Sequence, residues 1–391
     1  MVGIVACDSA WRIASCALTA GVLSACAVID HVEPRYENVN HAAANARNEG
    51  ILLNIVRASK HVPLNFIAFS KVSGSANVAL TAGLPSFGLG PGPLVINVNR
   101  QAIFSNTVLS GVATAKNDFD ITLLETKEFY NGLLGPVDLP TLNFFVRQGY
   151  TRELLFWLFT ESVRETVGGR TFEYRNDPDP AIACETVGGE QRCFKNMVQI
   201  ALATGLTVQT QTQPGVGPVK GIVLGRLCFD NVLAQRAKRF YPREIFASLH
   251  ASSGHHPRCS DPWQKTRSDG STDRLTFEVL GTPFGPIRYE ITTRSTFGIY
   301  QFLGRILATG TTDRILMYGR LEESEDPRLL AVDSNAQDGC FVGIVFESLG
   351  YCVPRQGAEN TKRIFSLLAQ LLALKTQPGD LVITPTVRTL Q

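Results

Sequence analysis

After residue 25 the chain has no stretch of about 18 uncharged apolar residues, the length a membrane-spanning helix needs. The most apolar segment, IFSLLAQLLAL at 364–374, is too short. No excess of either charge is present: 37 Lys and Arg face 35 Asp and Glu, for a formal net charge of +2. Nucleic-acid binding normally needs a basic face, and this balance gives no case for one. Strict repeats and long low-complexity tracts are missing. So are a G-x-S-x-G elbow and an H-E-x-x-H pair. The one Gly-rich stretch, GLGPGP at 88–93, lacks the Lys-Ser/Thr end of a phosphate loop and has prolines in its turn. What the chain does have is 391 residues, 44% of them apolar and 18% charged. That composition belongs to a globular protein with a core.

The amino terminus is distinctive. Arg12 precedes an apolar run from Ile13 to Leu23, and the small residues Ser24 and Ala25 then precede Cys26. The run has the length of a signal h-region. LSAC at 23–26 resembles the bacterial lipobox: a branched apolar residue, two small residues, then cysteine. The resemblance implies cleavage before Cys26 and acyl chains on it. Several chains on one cysteine hold a protein stably at a membrane, since each buried methylene contributes ~0.8 kcal/mol. In many Gram-negative bacteria an Asp next to that cysteine favours the inner membrane. Here the residue is Ala27, which implies the outer membrane, periplasmic side. The n-region departs from the pattern in carrying one positive charge. The competing reading is a buried helix with an ordinary cysteine.

There are nine cysteines. Cys7 and Cys16 fall in the expected signal and Cys26 is the expected lipid site. The remaining six, Cys184, Cys193, Cys228, Cys259, Cys340 and Cys352, are an even number, as in exported proteins with paired thiols. Local spacing favours Cys184–Cys193 and Cys340–Cys352, leaving Cys228–Cys259. The alternative is six buried thiols in a reducing compartment.

Along the chain, residues 27–36 read as a tether and 38–60 as a helix with Ala42, Ala46, Leu52 or Leu53, Ile55, Val56 and Ser59 near one face. Residues 64–83 alternate, with Gly and Ser breaks, and predict short strands. Helices are expected over 126–134, with Thr126 as cap, and over 141–149. A third is expected over 151–163, with Leu154, Leu155, Leu158, Phe159 and Ser162 on a face. Residues 165–195 read as loop. A helix at 194–204 and a strand at 206–213 follow, then a surface insertion at 249–273. PIRYEITT (286–293) alternates, placing Ile287, Tyr289 and Ile291 inward. A helix capped by Ser295 ends at Gly310. FVGIVFES (341–348) reads as a buried strand, 360–376 as an apolar helix, and 380–390 as an edge strand containing Pro385.

The mixture gives an α+β fold, helices packed on largely antiparallel sheet, behind an amino-terminal lipid-anchored tether and helix. The expected division is a signal peptide at 1–25, tether and helix at 26–60, an α+β body at 61–275 and a carboxy-terminal α+β region at 276–391. The last two can form one domain.

Candidate chemistry is sparse. His250, His255, His256 and Cys259 have zinc-ligand chemistry, but adjacent histidines seldom share one ion and Cys259 is better placed in a disulfide. DSNAQDG (333–339) falls short of a calcium loop, because its twelfth position is Ile344. The acidic run at 322–326 reads as a solvated turn. Arg236, Lys238, Arg239 and Arg243, beside Phe240 and Tyr241, read as a solvated helix face, the alternative being contact with phospholipid headgroups, lipopolysaccharide or peptidoglycan. No cofactor or metal is assigned.

NEGILLNIVRASKHVPLNF (48–66) resembles a recurrent segment of uncharacterised Gram-negative lipoproteins. In those, a helix ending L-L-N-I-V-R is followed by Pro and an aromatic. KEFYNGLLGPV (127–137) and IFSLLAQLLALKT (364–376) are similar to further segments of that group. The resemblance implies an envelope address and no reaction. The expectation is therefore an outer-membrane lipoprotein facing the periplasm, held to the membrane through acyl chains on Cys26. It would act as a binding or scaffolding component for a protein or cell-envelope partner, without nucleic acid. The alternatives are an envelope hydrolase acting on cell-wall or lipid material and a subunit of a homo-oligomeric envelope assembly. The balance leans away from catalysis.

Overall fold

The computed structural model describes residues 32–81, 110–187, 190–213, 222–241, 245, 255–263, 274–282, 285–311, 315, 317, 326–334 and 339–376. The expected signal, Cys26, the loop at 85–93, His250 and the terminal strand at 380–390 lie outside them. The fold is α+β, and every strand pair is antiparallel. The described residues fall into two compact units, a hairpin of two long strands and a larger body made of the rest.

The hairpin pairs β1 (Ile67–Thr81) with β2 (Ser110–Leu123). Residues 64–83 thus hold one strand of 15 residues, where short strands were expected. The register shifts by a bulge between Phe69 and Lys71. Side-chain positions alternate along a strand, so without the bulge Ile67 and Phe69 would fall on the face opposite Val72. With it, Ile67, Phe69, Val72, Gly74, Ala76, Val78 and Leu80 share a face with Leu123, Ile121, Phe119, Ala115, Ala113 and Gly111. Asn117 is the one polar residue on that face. Lys71, Lys116, Asp118 and Asp120 all belong to the other.

In the body, α1 (Val32–Ser59) begins inside the expected tether. Among its described side chains only those of the last turns are buried, through Ile51, Leu52, Ile55 and Val56; Ala42 is exposed. Asn54 ties its end to the outgoing chain, its Nδ2 donating to Asn65 O at 2.7 Å. Three short helices follow: α2 (Lys127–Leu134), α3 (Leu139–Arg147) and α4 (Arg152–Phe159). Each opens on a side chain that caps a backbone N–H, from Thr126, Asp138 and Thr151 respectively. The third ends at Phe159 instead of running to 163. Ser162 lies in β3 (Thr160–Val167), which turns through Gly168 and Gly169 into β4 (Arg170–Arg175).

The expected loop at 165–195 is therefore largely structured. After β4 come a single turn, α5 (Pro180–Ala183), and the hairpin of β5 (Cys184–Val187) and β6 (Glu190–Cys193). Next is α6 (Phe194–Ala203), then β7 (Leu206–Gln213) paired with β8 (Ile222–Phe229), and α7 (Asn231–Ala237). Gly205 makes the α6–β7 turn at φ 96°, and a Cβ there would lie 2.1 Å from Asp230 O, so only glycine fits.

Strands β9 (Arg274–Val279) and β10 (Ile287–Thr293) complete the central sheet in the order β4-β3-β10-β9. β10 pairs with β3, so one sheet joins sequence regions either side of residue 275. The helix α8 (Thr296–Ala308), capped by Ser295, crosses the end of α1 at Gly304. The small sheet of β11 (Asp333–Ser334), β13 (Leu349–Pro354) and β12 (Cys340–Phe346) and the helix α9 (Glu359–Lys375) finish the body. β12 is not a buried strand: Val345 is 76% exposed and Phe341 36%, while Val342 on the other face is buried.

Disulfides join Cys184 to Cys193, Cys228 to Cys259 and Cys340 to Cys352. These are the pairs that local spacing favoured.

Candidate functional site

Across the central sheet, Phe277, Tyr289, Glu165 and Phe172 form one register row, and Leu275, Ile291, Val163 and Tyr174 the next. The opposite face carries charge. Arg164 there pairs with Glu290 at 3.2 Å and Glu173 at 3.8 Å. The apolar rows face α6, whose Met197, Val198 and Ala201 lie across them with the capping Thr204.

The sheet continues through an irregular segment. His255 N donates to Leu280 O and Leu280 N to His255 O, while Phe229 N donates to Pro257 O and Cys259 N to Phe229 O. Residues 255–259 therefore stitch β8 to the end of β9, and the Cys228–Cys259 disulfide fixes the stitch. Together the two sheets and this segment form one wall.

Between wall and helix lies an apolar cavity of about 740 Å³, counted out to the solvent at its mouth. Phe156 of α4, Thr160 and Val163 of β3, Leu206, Phe229 and His256 line it, with Phe277, Val279, Ile287, Tyr289 and Ile291 of β9 and β10. Among the described residues no Asp, Glu, Lys or Arg lines it. Its lining is like that of small-ligand sites, which are mostly apolar with few polar groups.

Most polar groups at its edge are already committed. Thr204 Oγ1 donates to Ile200 O at 2.9 Å and Ala201 O at 2.8 Å. Thr282 Oγ1 donates to Gly285 O. Tyr289 Oη donates to Glu165 Oε1 at 3.1 Å, and Tyr174 Oη to Oε2 at 3.0 Å. Glu165 is 4% exposed, and Arg192 stands 3.6 Å from its Oε2. Burial first, then the Glu165 charge, pushes both tyrosines well above their ordinary range. They stay protonated donors, and the cluster braces the sheet.

His256 differs. Its ring lies 4.5 Å from that of Phe229, burial lowers its pKa, and Nδ1 is buried with no hydrogen-bond partner among the described residues. Of the four residues weighed as zinc ligands, His250 lies outside the described residues. Cys259 is in a disulfide, His255 serves through its backbone, and no group of three or more His, Cys, Asp or Glu among the described residues could hold an ion. Of the calcium-like stretch, Asp333 and Ser334 form β11, paired with β13. In the basic patch, Phe240 is 48% exposed and Tyr241 is buried.

Glu165, Tyr174 and Arg192 were missed because they lie in the presumed loop. The alternation of Val163, Glu165 and Val167 was the available signal. No family model, curated protein or solved structure matches the chain.

Proposed function

We propose that the protein is a lipoprotein of the outer membrane, acylated at Cys26 and facing the periplasm, and that its body is a binding component whose cavity receives an apolar ligand. The cavity carries this reading, because it is apolar and, among the described residues, uncharged. Thr204, Thr282 and Tyr289 point their hydroxyls into the protein, and among the described residues no nucleophile with an adjacent base converges on the cavity. That arrangement favours binding over the hydrolase alternative. Three disulfides suit an oxidising compartment, and the LSAC motif supplies the address.

Two measurements test the two halves. Intact mass and membrane fractionation of the wild type and Cys26→Ala, expressed in a Gram-negative host, test the anchor. Acyl mass, loss of residues 1–25 and outer-membrane flotation in the wild type alone are expected. Full-length mass and a cytosolic location in both would overturn it. For the cavity, fluorescence of N-phenylnaphthylamine should rise on binding, and Ala201→Trp, which fills the space, should weaken binding roughly tenfold or more. Equal binding by a folded Ala201→Trp variant would refute the assignment.

A further inference from the structure

The β1–β2 hairpin divides its residues by polarity between its two faces, and the cavity makes no use of it. One face is apolar but for Asn117, and every charged residue of the ladder lies on the other. The bulge between Phe69 and Lys71 holds this division along the whole length, since it returns Ile67 and Phe69 to the apolar face. At the base of the hairpin Ile67 and Leu123, paired across that face, are 47% and 48% exposed.

We propose that this hairpin spans a lipid bilayer, and that several copies of the chain join edge to edge through it into one closed barrel. This goes beyond the cavity reading and does not depend on it.

Length fits. A tilted strand crosses the hydrocarbon in about 9–11 residues, and the two strands have 15 and 14. Pattern fits too, because membrane barrels alternate apolar outward and polar inward with period two. The charged face, with Lys71, Lys116, Asp118 and Asp120, suits a water-filled interior.

The need for copies follows from hydrogen bonding. Among the described residues β1 and β2 pair only with each other. Each therefore has an outer edge of unpaired N–H and C=O groups, and hydrocarbon offers these no partner. A second copy presents β1 to the first copy's β2 in the antiparallel sense with the same face outward. Repetition around an axis closes the ring. Barrels begin at about eight strands, so about four copies is the minimum.

The test uses the full-length chain in vesicles of phosphatidylethanolamine and phosphatidylglycerol. Ala76→Cys and Ser75→Cys are neighbours on opposite faces, each labelled with a nitrobenzoxadiazole fluorophore. The label at 76 should be quenched by doxyl groups on the lipid chains and spared by iodide, and the label at 75 the reverse. Mass in detergent should correspond to several copies. Ala76→Asp should cut the inserted fraction roughly tenfold or more, while Ser75→Asp leaves it. The melting curve of each variant checks that the body still folds. Identical quenching at 75 and 76, a monomeric mass, or association without doxyl quenching would each overturn the proposal. Doxyl quenching reports depth, so a chain held only by acyl groups at Cys26 would also be recognised as a failure.

Discussion

Replacing Arg294 should destabilise the body by about 3–5 kcal/mol. The side chain is 2% exposed. Burial pushes its pKa down to about 9, so the guanidinium remains charged at neutral pH. Nη1 donates to Trp157 O at 3.0 Å and Leu158 O at 3.2 Å, and Nη2 to Asn176 O at 2.5 Å. The plane lies 3.8 Å over Phe302. One side chain thus joins the carboxyl end of α4, the exit from β4 and the helix α8. Arg294→Met keeps apolar bulk and removes every donor. Trp157 O would keep Asn176 Nδ2, at 2.7 Å. Leu158 O and Asn176 O lose this donor, at about 1–3 kcal/mol each. Loss of the ring contact adds about 1–2 kcal/mol. Freedom from burying a charge returns part of this, which gives the stated range. Urea unfolding followed by tryptophan fluorescence reads it directly, and Arg294→Lys should fall between wild type and Met. If the Met variant lies within about 1 kcal/mol of wild type, the carbonyls find other donors and the reasoning fails.

Further expectations concern the packing, the stitch and the histidine. Gly304→Ala would bring a Cβ to 2.5 Å from Ala58 Cβ and 2.7 Å from Ser59 N. It should lose about 1–2 kcal/mol net despite a helix-propensity gain of about 1 kcal/mol, and a higher urea midpoint would show that α1 and α8 slide apart freely. Cys228→Ser opens a bridge between residues 31 apart; about 3–4 kcal/mol should go with it, and naphthylamine binding should weaken because Phe229 and His256 shift. Cys184→Ser should leave that binding intact, so equal losses would place the effect in global stability. His256 titrates below its ordinary 6.5 in the folded state because burial disfavours its charge. The unfolded chain then takes up the proton first as pH falls, so this contribution is complete above about pH 6.5 and is lost as pH drops through the lowered folded value. His256→Phe should flatten that part of the pH–stability profile, and an unchanged slope would refute it.

Local signals carried well where local chemistry decides. Thr126 and Ser295 accept the N–H groups of Phe129 and Gly298, as their positions before apolar runs imply. The alternation of PIRYEITT located β10. The helix expected at 151–163 failed for a long-range reason. Apolar residues through Phe159 fit a period of 3.6, but Asn176 takes Trp157 O and Thr160 O, and Arg294 takes Trp157 O and Leu158 O. Those partners end the helix from up to 137 residues away, and nothing near residue 160 encodes them. The cavity was illegible for the same reason, since its walls come from separated segments that share no motif. His256 stood out as a metal candidate, whereas its neighbours in space are Phe229 and apolar strand residues.

The strand order β4-β3-β10-β9 has a consequence in time. Tyr289 reaches its place beside Glu165 across 124 residues of sequence. A chain growing from its amino end therefore completes the β3–β4 hairpin long before the strand that covers its other edge exists. Until residue 293 arrives, that edge is an open template for pairing with other chains. The pairing of β3 with β10 is non-local, and such pairing is slow. A carrier that keeps the nascent chain extended until its carboxy-terminal third is delivered would suit this architecture. Truncation anywhere before β10 would leave half a wall with nothing to hold.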